Sequence, residues 1–141
     1  LWQTGDKEFQ QYSSLSNKYI KVVPFINDMA SAYSLSNLVI CRSGALTISE
    51  LTACGKPSIL IPFAAAAGDH QLKNAKTLSK KGASIIIEEK DFDSKILLSK
   101  INDLINDDSK LSSMSIASKK LGNKDATKII VDLIAKGNYI V

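Results

Sequence analysis

Residues 41–63 read Cys-Arg-Ser-Gly-Ala-Leu-Thr-Ile-Ser-Glu-Leu-Thr-Ala-Cys-Gly-Lys-Pro-Ser-Ile-Leu-Ile-Pro-Phe, CRSGALTISELTACGKPSILIPF. An apolar run, Leu38 to Cys41, meets Arg42-Ser43-Gly44. A segment suited to a helix, Ala45 to Cys54, follows and meets Gly55, which is placed to end it in the left-handed conformation. A second apolar run, Ser58 to Ile61, stops at Pro62. Strand, helix and strand in this order and at these lengths predict a βαβ unit, hence a parallel pair of strands. Two features ask for more than packing. The helix opens on Ser-Gly, and it carries a single carboxylate, Glu50, in otherwise small or apolar company.

The same alternation runs outward in both directions. Strands are predicted at Leu1–Thr4, Tyr19–Val23, Leu38–Cys41, Ser58–Ile61 and Ala83–Ile87. Helices are predicted at Asp6–Ser16, Met29–Ser36 behind an Asp28 cap, Ala45–Cys54 and Gln71–Lys81. Three more, Ser94–Asn106, Ser109–Leu121 and Asp125–Lys136, follow the last strand. Several strands are apolar without alternation, as strands covered on both faces are. The expected fold class is α/β, a Rossmann-like parallel sheet with helices on both faces.

A chain of 141 residues, 45% hydrophobic and 23% charged, suits one globular domain, residues 1–141. Lys and Arg exceed Asp and Glu by 18 − 14 = 4. The lysines are scattered, which argues against a nucleic-acid partner and leaves phosphorylated ligands or anionic lipid open. Cys41 and Cys54 form no CxxC and suit two reduced thiols, with no disulfide between them. The longest uncharged apolar stretch, Ser58 to Gly68, is too short to span a bilayer. The chain opens on a predicted strand without an initiating Met or a signal-peptide pattern, and is expected to be a piece of a larger protein, truncated at its amino terminus.

In open parallel sheets ligands bind beyond the carboxyl ends of the strands. Arg42-Ser43-Gly44 with Ala45-Leu46-Thr47 sits at one such end. A glycine there admits close backbone approach, and the first-turn N–H groups and helix dipole favour an anion such as phosphate. A plain strand-to-helix turn accounts for the same residues. Glu50 has two readings as well. It closes a Ser/Thr-x-x-Glu capping box with Thr47, placing the helix start at Ile48, or it reaches the ribose of a nucleotide whose diphosphate lies at the helix end. After the fourth strand, Gly68-Asp69-His70-Gln71 offers an Asp cap, the chain's one histidine and an amide able to read sugar hydroxyls. The lone histidine makes no metal site, and Asp91-Phe92-Asp93 reads as a helix cap rather than a metal-binding pair.

VPFINDMASAYSLSNLVICRSGALTISELTACGKPSILIPF, followed by DHQLKNA, resembles the carboxyl-terminal, donor-binding domain of the MurG family, glycosyltransferase family 28. The resemblance is densest from Val23 to Gly82. It implies the carboxyl-terminal half of a GT-B fold. It also implies transfer of GlcNAc from UDP-GlcNAc to the MurNAc 4-hydroxyl of lipid I, with inversion, to make lipid II for peptidoglycan, and so a role in cell-wall growth, division and shape. By matching position, Ala45, Leu46 and Thr47 hold the UDP diphosphate through backbone N–H groups and Glu50 holds the ribose. Phe25 and Ile26 lie along the uracil, and Gln71 contacts the GlcNAc hydroxyls. Arg42 and His70 match positions near the donor, and Asn74 matches a residue that positions the loop. The resemblance implies no cofactor and no metal. The general base and the lipid acceptor site would belong to an amino-terminal domain outside this chain, and the enzyme would lie peripherally on the cytoplasmic face of the bacterial plasma membrane. Two rival readings are a dolichol-linked GlcNAc transferase subunit with the same donor site, and a non-catalytic nucleotide-binding module.

Overall fold

A computed structural model describes residues 1–123 and 125–136. It divides into two compact units, Leu1–Ser36 and Asn37–Val141.

The first unit runs β1 (Trp2–Gln3), α1 (Asp6–Tyr12), a 3-10 turn (Ser13–Leu15), β2 (Val22–Val23) and α2 (Met29–Leu35). β1 and β2 are parallel, with Trp2 opposite Val22 and Gln3 opposite Val23. Two backbone bonds extend the pairing past the strands, from Thr4 N–H to the Val23 carbonyl and from Gly5 N–H to the Pro24 carbonyl, both 3.0 Å. Both strands are shorter than predicted. Residues 17–20 form a turn instead of extended chain, because the Asn17 side chain accepts from the N–H groups of Tyr19 and Ile20 at 2.8 and 3.1 Å. Asparagine does this readily, and strand pairing then starts only after it. Asp28 caps α2 as predicted, accepting from Ser31 N–H at 3.0 Å. The Ser31 side chain, then that backbone bond, holds its carboxyl below the usual range.

The second unit runs β3 (Val39–Cys41), α3 (Ala45–Cys54), β4 (Ser58–Leu60), a 3-10 turn (Ala67–Asp69), α4 (His70–Lys80), β5 (Ser84–Ile86), a second 3-10 turn (Glu89–Asp91), α5 (Ser94–Ile105), α6 (Asp108–Leu121) and α7 (Ala126–Ala135). β3, β4 and β5 are parallel neighbours in that order, with Val39, Ser58 and Ser84 in register. All five predicted strands are present, each parallel to its neighbour within its own unit. Among the described residues they form a two-stranded and a three-stranded ladder.

β4 is the buried strand of its ladder. Ile59 packs with Ile87, Leu104 and Met114, while Leu38, Ile61, Ile85, Leu97, Ile101 and Leu111 close round them. Leu60 points to the opposite face and is equally buried. Full burial of such a side chain contributes about 1.5–3 kcal/mol, so this strand explains the apolar run without alternation. α3 ends as predicted, with Gly55 at φ 62°, ψ 43°. Lys56 N–H reaches the Leu51 carbonyl at 2.8 Å, closing the helix end. Hydroxyls of α6 add two bonds there: Ser115 donates to the Gly55 carbonyl at 2.7 Å, and Ser118 gives the Leu51 carbonyl a second bond at 3.2 Å.

Candidate functional site

The first candidate segment is the start of α3. The helix begins at Ala45, with Gly44 as its N-cap and no side-chain capping bond. Ile48 N–H donates to the Gly44 carbonyl at 2.9 Å. The N–H groups of Ala45, Leu46 and Thr47 therefore have no carbonyl partner within the helix. Thr47 lies inside the helix, so the capping box proposed for Thr47 and Glu50 does not form and a helix start at Ile48 is corrected to Ala45. The physical reason is that Gly44 is already extended, at φ −61°, ψ 151°, and the chain turns helical directly after it. Gly44 adopts angles open to any residue, and a Cβ built on it would meet only Thr47 Oγ1, at 3.8 Å. The fold itself does not demand glycine here. Leu46 is 77% exposed. Glu50, half-buried, stands about 7.5 Å further along the helix axis than Ala45.

Ser43, fully buried, ties this turn to α4: its Oγ donates to the Gln71 carbonyl at 2.8 Å. Asn74 Nδ2 returns a bond to the Ser43 carbonyl at 3.0 Å. Asn74 thus positions the turn. The serine of the Ser-Gly pair binds helix to strand, and the glycine leaves space in front of the helix.

The second segment is the loop after β4. Arg42 donates to the carbonyls of Ile61 at 3.1 Å and Pro62 at 3.3 Å, and pairs with Glu89 at 2.5 Å. Its guanidinium lies 5.4 Å from the centre of the Phe63 ring. Phe63 N–H donates to Gln71 Oε1 at 3.0 Å, and Ala64 N–H to Glu89 Oε2 at 2.8 Å. The Ala64 bond, then Arg42, holds the Glu89 carboxyl below its usual range. A hollow of about 500 Å³ lies beside this cluster, lined by Ile40, Cys41, Arg42, Ile61, Glu89 and Phe92. Asp69 occupies the N-cap position of α4, as expected, but in the left-handed region at φ 56° and without a capping bond. Capping side chains ordinarily stand on an extended N-cap backbone, which Asp69 does not have. His70 is the exposed first residue of α4, one residue earlier than the predicted start.

Phe25 and Ile26 belong to the first unit. Phe25 is 63% exposed. Ile26 N–H donates to Gln3 Oε1 at 2.8 Å, which ties the segment after β2 back to β1. In the second unit, Asp93 caps α5 by accepting from Lys95 N–H at 2.6 Å, as the capping reading of Asp91-Phe92-Asp93 requires. Cys41 and Cys54 are both free. They lie before and at the end of α3, a helix about 15 Å long, beyond disulfide reach. Burial pushes the Cys41 thiol up to about 11.

The structure brings Arg42, Ala45, Leu46, Thr47, Glu50, His70 and Gln71 onto the carboxyl ends of β3 and β4 and the helices that leave them. Sequence reasoning missed Glu89 and Gln3. Glu89 follows the carboxyl end of β5, which is where strand order directs attention, but a Glu-Glu-Lys-Asp run gives no sign of which acid turns inward.

The profile of the glycosyltransferase family 28 C-terminal domain matches residues 1–130. The chain belongs to this family. Over 133 residues it is 42% identical to a UDP-N-acetylglucosamine--N-acetylmuramyl-(pentapeptide) pyrophosphoryl-undecaprenol N-acetylglucosamine transferase of Geobacter metallireducens, covering 92% of this chain and 36% of that protein. The corresponding transferase of Syntrophus aciditrophicus is 45% identical over 133 residues, again 92% of this chain and 37% of its own. The crystal structure of Acinetobacter baumannii MurG superposes with a TM-score of 0.85 at 34% identity, covering 95% of this chain and 42% of that one. Glycosyltransferase VinC, 17% identical with a TM-score of 0.67, covers 89% of this chain and 31% of its own and shares the fold alone. The family 28 chain therefore spans a little over a third of the length of the curated relatives it matches. Its architecture, parallel sheet flanked by helices, is that of the carboxyl-terminal half of a GT-B glycosyltransferase. Among the described residues no helix is long and apolar enough to cross a membrane.

Proposed function

We propose that this chain is the donor-binding part of an inverting GlcNAc transferase that uses UDP-GlcNAc and a lipid I acceptor. One observation carries the reading: α3 starts behind a glycine that its own backbone angles do not require, with Glu50 farther along the same helix. The N–H groups of Ala45, Leu46 and Thr47, with the positive end of the helix dipole, suit a diphosphate. They would stabilise the charge that develops on UDP as the glycosidic bond breaks. Glu50 would accept from the two ribose hydroxyls, Phe25 and Ile26 would bind the uracil, and Gln71 would contact the sugar. Arg42 and His70 would flank the donor, Arg42 by shaping the loop after β4.

The names of the relatives support the choice of substrates, since they specify a UDP-N-acetylglucosamine donor and an undecaprenol-linked acceptor. A dolichol-linked acceptor is not favoured by them. Acceptor deprotonation is assigned to no residue of this chain. The setting that follows is peptidoglycan synthesis at the cytoplasmic face of the plasma membrane, with peripheral contact and no nucleic-acid partner.

The test is calorimetric titration of the protein at its full natural length with UDP-GlcNAc, UDP and CDP, beside an assay of labelled GlcNAc transfer to a lipid I analogue. Binding of UDP-GlcNAc and UDP well above CDP, with transfer to the MurNAc 4-hydroxyl, is expected. Equal, weak binding of all three would overturn the donor reading, and donor binding with no transfer to lipid I would overturn the acceptor.

A further inference from the structure

In the segment from Ile61 to Ala64 each of four successive residues has a backbone group held by a side chain. Arg42 takes the carbonyls of Ile61 and Pro62, Gln71 takes the Phe63 N–H, and Glu89 takes the Ala64 N–H. Glu89 uses both oxygens, Oε1 on Arg42 and Oε2 on Ala64. It thereby joins the ends of the arrangement, the guanidinium on the carbonyl side and the amide on the other. The Gln71 amide matters most for chemistry. A backbone N–H can face only the oxygen of a carboxamide, so the Phe63 N–H determines which end of Gln71 turns inward and leaves the NH₂ pointing away as a donor. How Gln71 presents itself therefore depends on where the turn lies, and Glu89 pins the turn one residue further along.

We propose that Glu89 is a positioning residue for the sugar end of the donor: it fixes the Phe63–Ala64 turn, and the turn orients the Gln71 carboxamide with its NH₂ outward. This rests on the reading of Gln71 as a sugar contact made above. Glu89 bonds Ala64 and Arg42, the two groups that hold the loop on either side of the Phe63 amide that Gln71 accepts from. Its influence is expected at the part of the ligand that Gln71 touches, because neither Glu89 bond reaches the amides of α3 or Glu50.

The experiment compares affinities for UDP-GlcNAc and UDP in the full-length protein, since only the first carries the sugar. Gln71→Ala sets the scale by removing the sugar contact itself. In Glu89→Ala, UDP-GlcNAc binding is expected to weaken about tenfold, the scale of a lost hydrogen bond to a charged group, while UDP stays within about twofold. The double variant is expected to bind no more weakly than Gln71→Ala alone, because the two residues act on one contact. Glu89→Gln keeps an acceptor for the Ala64 N–H and drops the charge facing Arg42, so a loss of about threefold in UDP-GlcNAc alone is expected. Equal weakening of both ligands, an unchanged ratio, or additive losses in the double variant would each overturn the proposal. Should Glu89→Ala fail to fold, Glu89→Gln decides by the same ratio, and no change in it counts against the proposal. If Gln71→Ala leaves the preference for UDP-GlcNAc over UDP intact, the sugar-contact reading has failed by itself, before any Glu89 variant is measured.

Discussion

Two turns leave the carboxyl ends of the neighbouring strands β3 and β4, and they are built in opposite ways. The turn after β3 is short and needs almost nothing: Ser43 is buried and bonded, Gly44 is extended, and the helix starts at once without a side-chain cap. The loop after β4 is held at one backbone group in each of four successive residues by Arg42, Gln71 and Glu89. A helix start that is to receive an anion must keep its amides available, so capping it internally would defeat the purpose. A loop that is to present side chains must first be made rigid, and its polar backbone has to be occupied from within. On the proposed reading, the bare turn is the part offered to a ligand, and the crowded loop is the scaffold beside it.

The sharpest way to break this comparison is to cap the bare turn. Aspartate is among the favoured N-cap residues, and Gly44 already has angles that aspartate adopts. Gly44→Asp is therefore expected to leave the melting temperature unchanged or raise it slightly. The same carboxylate would occupy the amides and repel a diphosphate, so UDP-GlcNAc binding is expected to fall by at least about a hundredfold, near 3 kcal/mol. Stability and binding moving in opposite directions is the signature to look for by calorimetry. A variant that binds donor normally would mean that the start of α3 is only a turn.

Glu50→Gln probes the same helix more gently. With Thr47 inside the helix, no capping box depends on Glu50. Exchanging a charged acceptor for a neutral amide is expected to weaken UDP-GlcNAc binding about tenfold, from a charge-assisted bond of roughly 1.5–3 kcal/mol, with the melting temperature little changed. Unaltered affinity would remove the ribose contact from the site.

The two turns also differ in how far they could be read in advance. The βαβ order, the left-handed Gly55 and the Asp28 and Asp93 caps are local: each depends on residues within a few positions, so periodicity and cap chemistry reach them. The start of α3 was ambiguous only by three residues, because Thr47-Ile48-Ser49-Glu50 imitates a capping box that the helix, already begun at Ala45, never uses. Asp69 looked like an ordinary cap for the same kind of reason, yet it has a positive φ and makes no capping bond. The loop after β4 was opaque. Arg42 meets its carbonyls from 19 and 20 residues away, and Glu89 meets Ala64 from 25. Such partners are set by strand order and register, which no local pattern records. The first residues of the expected strand, Tyr19 and Ile20, were lost to a side chain instead, since Asn17 holds their N–H groups in a turn.

A smaller effect is expected where the bare turn is anchored. Ser43→Ala removes the buried hydroxyl that binds the Gln71 carbonyl. A bond of this kind contributes about 1 kcal/mol, so the melting temperature is expected to drop by about 3 °C, measurable by calorimetric scanning. If Gly44 and the amides behind it are the receptive part, UDP affinity should hardly move. A large loss of UDP binding without a loss of stability would place Ser43 among the ligand contacts and blur the division between anchor and opening.

The last and smallest effect separates the clamps of the crowded loop from one another. Two consecutive amides, Phe63 and Ala64, are held by different chemistry, a neutral carboxamide and a carboxylate. The Ala64 bond and the Arg42 charge lower the Glu89 pKa beneath its ordinary 4.5. For a carboxyl shifted in this direction, the stabilisation is fully present above 4.5 and is lost as pH falls through the folded-state value. Protonation would weaken Glu89 as an acceptor for Ala64 and remove its attraction for Arg42. Gln71 has no proton to gain. In a ¹H–¹⁵N titration the Ala64 amide is therefore expected to shift with a midpoint below 4.5, while the Phe63 amide moves much less and only as its neighbour loosens. In Glu89→Gln the Ala64 transition should disappear. A Phe63 amide that titrates as strongly as Ala64 would show the four contacts to be one unit, with no separate role for the carboxylate.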